Sequence, residues 1–137
     1  MKVILDTNIF ISGIFWTGKC NNLINYWKKE EFKLVTSLEI IDEFIRILKD
    51  FKIQLPEEII KEWVELIIRN SIIVEPKEKF DVIKLDHKDD MFLDAAIAGN
   101  ADYIVSQDNH LLNLREFKEI KIITPEEFLN ILSKSKN

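Results

Sequence analysis

The sequence predicts an α/β fold: one domain over residues 1–137, with a mostly parallel central sheet flanked by helices on both faces. Three observations carry this reading. Short β-favouring runs alternate along the chain with stretches of helical apolar spacing. The runs are separated by helix-length segments, which suits parallel neighbours because these need crossover connections. Finally, 137 residues without a repeat, low-complexity tract or linker are enough for one hydrophobic core and leave little room for a second domain.

Taken in order, Lys2 to Leu5 is a short apolar run that reads as a buried strand, ended by the turn-prone triplet Asp6-Thr7-Asn8. Cys20, Leu23, Ile24 and Trp27 recur at helical spacing. Lys33 to Thr36 reads as a second strand. Leu38, Ile41, Phe44, Ile45 and Leu48 then form an amphipathic stripe, with Thr36 and Glu39 spaced as a capping box at its start. Pro56 opens a further helix whose apolar pairs are Ile59 and Ile60, Trp63 and Val64, Ile67 and Ile68. Ser71 to Val74 reads as a strand and Glu75 to Lys88 as an irregular or partly helical connection. Asp90 to Ala98 suits a helix, with Gly99 as its stop. Tyr103 to Ser106 is a β-favouring run ending at Gln107-Asp108. Ile120 to Ile123 is the last strand, after which Thr124, Pro125 and Glu127 cap a final helix.

Composition narrows the class. With 47% hydrophobic and 31% charged residues the chain reads as a soluble globular protein, neither disordered nor membrane-spanning. No run approaches the roughly 20 apolar residues of a membrane span, and the apolar stretch before Asp6 is too short for a signal peptide core. Cys20 is alone, which excludes a disulfide framework, a Cys-x-x-Cys redox pair and a zinc ribbon, and favours a reducing compartment. The expected location is cytoplasmic. A formal net charge of -5 argues against gripping a polyanion with a generally positive surface. A bound divalent cation can supply the missing charge, and Lys28 with Lys29, or Lys84 with His87 and Lys88, offer local phosphate contacts. Their plainer reading is solvated surface.

The candidate chemistry lies in acidic residues. Two expected strands deliver an aspartate at or just past their carboxyl ends, Asp6 and Asp108, where sites form in parallel sheets. Asp94 sits inside Phe92-Leu93-Asp94-Ala95-Ala96-Ile97-Ala98, where an unpartnered carboxylate is costly to bury. Asp90 lies one helical turn earlier on the same face, and Glu43 one turn inside the helix that starts near Leu38. Simpler roles compete: Asp89 or Asp90 as a helix cap, Glu39 as part of the capping box, Asp6 closing an Asx turn with Asn8, and Asp108 capping the turn before Leu111 and Leu112. Carboxylates that converge in one crevice repel one another and shift toward protonation unless a cation compensates. Oxygen ligands, with no His or Cys at ligand spacing, point to Mg²⁺ or Mn²⁺ and not to zinc. Such ions activate water and stabilise charge on a phosphodiester during in-line displacement.

At this point the residues resemble the PIN-domain family. Asp6-Thr7-Asn8 after the first strand, Glu43 in the helix from Leu38, Phe92-Leu93-Asp94-Ala95-Ala96, and Ala101 to Asp108 look like its successive motifs, in order and across nearly the whole chain. The resemblance implies a single PIN-like domain, residues 1–137, acting as a metal-dependent endoribonuclease. Carried over by position, Asp6, Glu43, Asp94 and Asp108 match the acidic quartet, with Asp90 an extra acid seen in one branch. Thr7, Asn8 and Ser106 match polar positions that orient the acids or the substrate. Many small members are VapC-like toxins, so RNA is the expected substrate and a small antitoxin protein an expected partner. The segment Lys88 to Asp94 looks more like the branch with the extra acid than like the best-known toxins. The Ile59 to Ile68 face offers a homodimer surface, although that stripe reads more simply as core.

Two rival functions draw on the same residues. A haloacid-dehalogenase phosphatase also begins with an aspartate after its first strand, but needs a second acid two residues on, where this chain has Asn8. A non-catalytic module that keeps the fold for nucleic-acid binding or as a scaffold is the main alternative.

Overall fold

The structure is a computed structural model and describes residues 1–83 and 87–135. The expected strands form as β1 (Lys2–Leu5), β2 (Lys33–Ser37), β3 (Ser71–Val74), β4 (Tyr103–Val105) and β6 (Ile120–Ile123), with a two-residue strand β5 (Glu116–Phe117) before the last. They lie in the order β3-β2-β1-β4-β6-β5, and every pairing is parallel except β5 with β6. The mixed α/β architecture with a mostly parallel sheet is thus as the alternation of runs implied.

Side chains on β1 alternate between two cores, because successive residues of a strand point to opposite faces. Val3 and Leu5 join the cluster holding Phe10, Leu23, Trp27, Phe44 and Phe128, whereas Ile4 joins Val35, Phe92, Leu93 and Ile104. The first face is covered by helices α1 (Thr7–Phe15), α2 (Lys19–Lys28), α3 (Leu38–Asp50), α4 (Glu57–Arg69) and α7 (Pro125–Ser135). The second is covered by α5 (Asp90–Ala98) and the short α6 (Asn109–Leu112).

Several local expectations need correction. Asp6-Thr7-Asn8 starts α1: Asp6 is its N-cap and accepts the Asn8 N–H at 3.2 Å, the Asx turn expected of it, while the chain goes on as helix and not as a loop. That helix gave no periodic signal because Ile9, Phe10 and Ile11 are all buried, so it has no broad polar face. The cap of α3 is Ser37, whose hydroxyl accepts the Ile40 N–H at 3.3 Å, and not the Thr36–Glu39 box. Glu39 instead pairs with Lys79 at 3.0 Å. Pro56 stands at the N-cap of α4, one position before its first residue, and β4 stops at Val105. The capping box at α7 forms reciprocally: Glu127 N–H donates to Thr124 Oγ1 and Thr124 N–H to Glu127 Oε1, each at 3.2 Å. In α4, Ile60 and Ile67 are core while Ile68 is exposed, so most of the Ile59 to Ile68 stripe is spent inside the domain.

Close approach of α1 and α2 rests on Gly13. A Cβ there would stand 2.3 Å from Ile24 Cδ1 and 2.9 Å from the Cys20 carbonyl oxygen. The side chain can shift, but the backbone oxygen cannot without moving α2. Although alanine gains about 1 kcal/mol of intrinsic helix propensity over glycine, overpacking costs about 1–3 kcal/mol. Gly13→Ala is therefore expected to lower the melting temperature, and a thermal melt showing stabilisation would contradict the packing described.

Candidate metal centre

In a doubly wound sheet, the crevice opens where connections leave in opposite directions, at the carboxyl ends of the strands. Here that point lies between β1 and β4: the chain runs from β1 outward to β2 and β3, then returns to β4 on the other side. Asp6 directly follows β1, and Ser106 follows β4. Ser106 is fully buried and ties the two exits together. Its hydroxyl donates to Asp6 Oδ2 at 2.7 Å and accepts the Asp108 backbone N–H at 2.9 Å. Asp6 Oδ1 accepts from the Asn8 backbone, so this buried carboxylate is held at both oxygens. Asp108 Oδ1 accepts the His110 N–H at 2.9 Å at the start of α6, the cap expected of it.

The remaining acids reach the same end of the sheet from helices. The start of β1 is laced to the segment after α5, since Lys2 N–H donates to Asp102 Oδ2 at 2.9 Å and Asp102 N–H to the Lys2 carbonyl at 2.7 Å. The C-terminus of α5 therefore lies at the amino ends of the strands, which leaves its first turns, with Asp90 and Asp94, at the carboxyl ends. Glu43 comes from α3, which leaves the carboxyl end of β2 directly. A cleft joins these residues. It is lined by the acids Glu39, Asp42, Glu43, Asp81, Asp90 and Asp94 against the cations Arg46, Lys79 and Lys88, with Phe80 and Met91.

Asp94 is 5% exposed, and its Oδ1 accepts the Phe80 N–H at 2.8 Å. Burial raises its carboxyl above the ordinary value, and the charges of Glu39 and Asp90 add to the rise. The Phe80 N–H and Lys79 act in the opposite direction. Asp90 Oδ1 accepts the N–H groups of Val82 and Ile83 at 3.1 and 3.0 Å, so it anchors the connection before α5 and does not merely start the helix. Glu43 is ion-paired with Arg46.

The contacts thus form two sets: Asp6, Ser106 and Asp108 in one, Glu43, Asp90 and Asp94 in the other. Among the described residues no three of Asp6, Glu43, Asp94 and Asp108 close to metal-ligand spacing, and the group that does is Asp89, Asp108 and His110, with ligand atoms all within 4.8 Å. Asp89 stands at the N-cap of α5 without making a side-chain capping bond there. In that group an imidazole nitrogen stands beside two carboxylates. Spacing two residues apart in Asp108-Asn109-His110 was the available signal; the approach of Asp89 had none. Thr7 Oγ1 is buried without a hydrogen-bond partner, beside a small apolar space lined by Phe10, Thr36, Ile40 and Phe44. Asn8 acts here through its backbone. Of the expected basic groups, Lys88 lines the cleft, Lys28 lies 4.7 Å over the Trp63 ring, and Lys84 is outside the described residues.

The donor set fits a hard divalent cation. Acids outnumber cations in the cleft, two of them are more than nine-tenths buried, and burial first, with the charges of Glu39 and Asp90 adding to it, raises the carboxyl of Asp94. That last shift has a consequence for stability. Because folded Asp94 holds its proton more tightly than the unfolded chain does, its ionisation opposes folding. The penalty is absent below the ordinary carboxylate range and grows as pH rises through the raised folded value. Asp94→Asn removes the charge and keeps an oxygen to accept the Phe80 N–H. In metal-free thermal melts the variant is expected to be more stable than wild type at neutral pH, with the gap closing below about pH 3. A loss of stability at neutral pH would make Asp94 a structural acid.

A family model described as a PIN domain matches residues 2–110, a stretch running from β1 into α6 that contains Asp6, Asp108 and every acid of the cleft. A search of curated proteins returns no match. PIN domains are generally metal-dependent nucleases, in keeping with an acidic cleft lined by the starts of α3 and α5 beside the carboxyl ends of a mostly parallel sheet. On the extent of that match, the chain belongs to the PIN-domain family.

Proposed function

We propose that this protein is a Mg²⁺- or Mn²⁺-dependent endoribonuclease that works in the cytoplasm as the toxin of a toxin-antitoxin pair. The observation that supports the reading most directly is Asp94, a carboxylate buried in an apolar helix yet lining a cleft crowded with other acids. A purely structural acid would be expected to meet a cation there; this one faces Glu39 and Asp90 as well as Lys79. Asp6, Glu43, Asp94 and Asp108 are assigned to hold the cation, with Asp90 beside them. When bound, the cation supplies a water of lowered pKa and Lewis-acid stabilisation of charge on the phosphodiester.

The chain's own residues do the positioning. Ser106 fixes Asp6 and the Asp108 backbone relative to one another, so that loss of its hydroxyl would loosen two ligands at once. Asp94 and Asp90 pin the backbone of Phe80, Val82 and Ile83 along the cleft, which gives substrate a defined wall. Arg46, Lys79 and Lys88 at the cleft are the phosphate contacts of a chain whose net charge is otherwise unfavourable. The backbone bonds of Asp90 and Asp94 also favour a second reading, a PIN-fold binding or scaffold module in which these acids only brace the loop.

Cleavage assays on single-stranded and structured RNA with added Mg²⁺ or Mn²⁺ separate the two. Asp6→Asn and Asp108→Asn are each expected to lower the rate by roughly 10²–10³-fold, as loss of a transition-state charge stabiliser does, with unchanged circular dichroism. Ser106→Ala should weaken metal affinity about 10–100-fold, the range for residues that orient ligands. Cleavage that survives both Asn substitutions would place the chemistry elsewhere, and absence of wild-type cleavage with every RNA and metal would favour the scaffold reading. For the toxin role, expression in its own host is expected to arrest growth, with rescue by a small protein encoded alongside; harmless expression of active enzyme would count against it.

A further inference from the structure

One group of ligating side chains brings in a residue type that the acidic cleft lacks. Asp89 ends a 3-10 turn (His87–Asp89) and is buried, while Asp108 and His110 sit at the start of α6. The ligand atoms of the three lie within 4.8 Å of one another although nearly 20 residues separate the two segments. We propose that Asp89, Asp108 and His110 form a second cation site, selective for a borderline transition ion such as Zn²⁺ or Co²⁺ over Mg²⁺.

The discriminating donor is the imidazole. Mg²⁺ takes oxygen ligands and gives up its waters reluctantly, whereas Zn²⁺ and Co²⁺ accept imidazole nitrogen with carboxylate readily. In a tetrahedral shell with bonds of about 2.0–2.2 Å, neighbouring donors stand roughly 3.3–3.5 Å apart. His110 Nδ1 and Asp108 Oδ1 are already 3.7 Å apart. Their side chains are 40% and 27% exposed, so a small rotation closes the remaining gap and an ion can enter from solvent. The His110 N–H bond to Asp108 Oδ1 holds the carboxylate and the imidazole on one short stretch of backbone. Asp89 completes the set from the other side, buried at the N-cap of α5 with a carboxylate oxygen within 4.8 Å of the other two ligand atoms. The site shares Asp108 with the cleavage centre proposed above, yet its ion binding does not depend on whether the chain cleaves RNA.

The test is a Co²⁺ titration of the metal-free full-length protein, read by visible absorbance, with Zn²⁺ and Mg²⁺ as competitors. One Co²⁺ with nitrogen-ligation bands is expected, displaced by Zn²⁺ and resistant to excess Mg²⁺. His110→Ala and Asp89→Asn should each weaken Co²⁺ binding by at least about tenfold, about 1.4 kcal/mol. His110→Asp keeps a donor while exchanging nitrogen for oxygen, and should narrow the preference for Co²⁺ over Mg²⁺. Asp6→Asn should leave Co²⁺ affinity in place even where Mg²⁺-dependent cleavage is lost, so failure of the nuclease reading and failure of this one are told apart. Unchanged Co²⁺ binding in folded His110→Ala, no Co²⁺ bands in wild type, or stoichiometric displacement by Mg²⁺ would each overturn the proposal.

Discussion

The end of the sheet that carries the acids depends on the lateral pairing of β1 with β4 and on one hydroxyl that extends it past the last ladder bond. Leu5 pairs with Val105, and the next residues diverge into a helix on one side and a loop on the other. Ser106 bridges that divergence by donating to Asp6 and accepting from Asp108. Without the bridge, two anionic segments leaving adjacent parallel strands would repel and separate. With it, the pair is held by a charge-assisted bond from a fully buried hydroxyl to the Asp6 carboxylate and by the Asp108 N–H, and loss of the hydroxyl would leave buried groups unsatisfied.

Around this bridge the fold accepts an electrostatic conflict. Asp94 is surrounded by Phe92, Leu93, Ala95 and Ala96, all buried, so water cannot screen it well. The backbone of the preceding connection supplies part of the compensation, through Phe80 N–H to Asp94 and through Val82 and Ile83 N–H to Asp90. Backbone amides carry no net charge, however, and burial still dominates the shift at Asp94. Parallel strands explain why the conflict is concentrated here: each contributes a loop or helix start to the same edge, and that edge also collects helix N-termini, whose partial positive charge favours anions.

Legibility in the sequence followed signal length. Val3-Ile4-Leu5 and Ser71 to Val74 read as strands because apolar, β-branched runs of that size have few other outcomes in a chain of this composition. Helices α3, α4 and α5 were visible from period and stop signals. Helix α1 was not, since an element buried on nearly every side has no period to detect, and α6 and β5 are too short to show one. Asp94 stood out because a carboxylate amid small apolar residues is locally inconsistent. Asp89 looked like a helix cap, which is where the backbone puts it, but its side chain meets residues almost 20 positions away. Contacts of that separation are decided by packing of α5 and α6 on one sheet face, which no local pattern encodes. Ser106 was marked only by resemblance; its two simultaneous hydrogen bonds depend on strand adjacency.

The same adjacency bears on how an acidic chain could handle a polyanion. Within the cleft, Arg46 is held by Glu43 and Lys79 by Glu39, while six carboxylates line the walls. Exposed ion pairs of this kind contribute little to stability, on the order of 0–1 kcal/mol, so their partners can change at small cost. Arg46 has a second acid on its own helix, Asp42, four residues earlier and lining the same cleft, so the guanidinium stays at the rim whichever of the two it pairs with. A phosphate entering the cleft would find a guanidinium in place. Net charge is therefore a poor guide to such a cleft, because the counter-charge within reach of a ligand is local: Arg46, Lys79 and Lys88 stand among its acids.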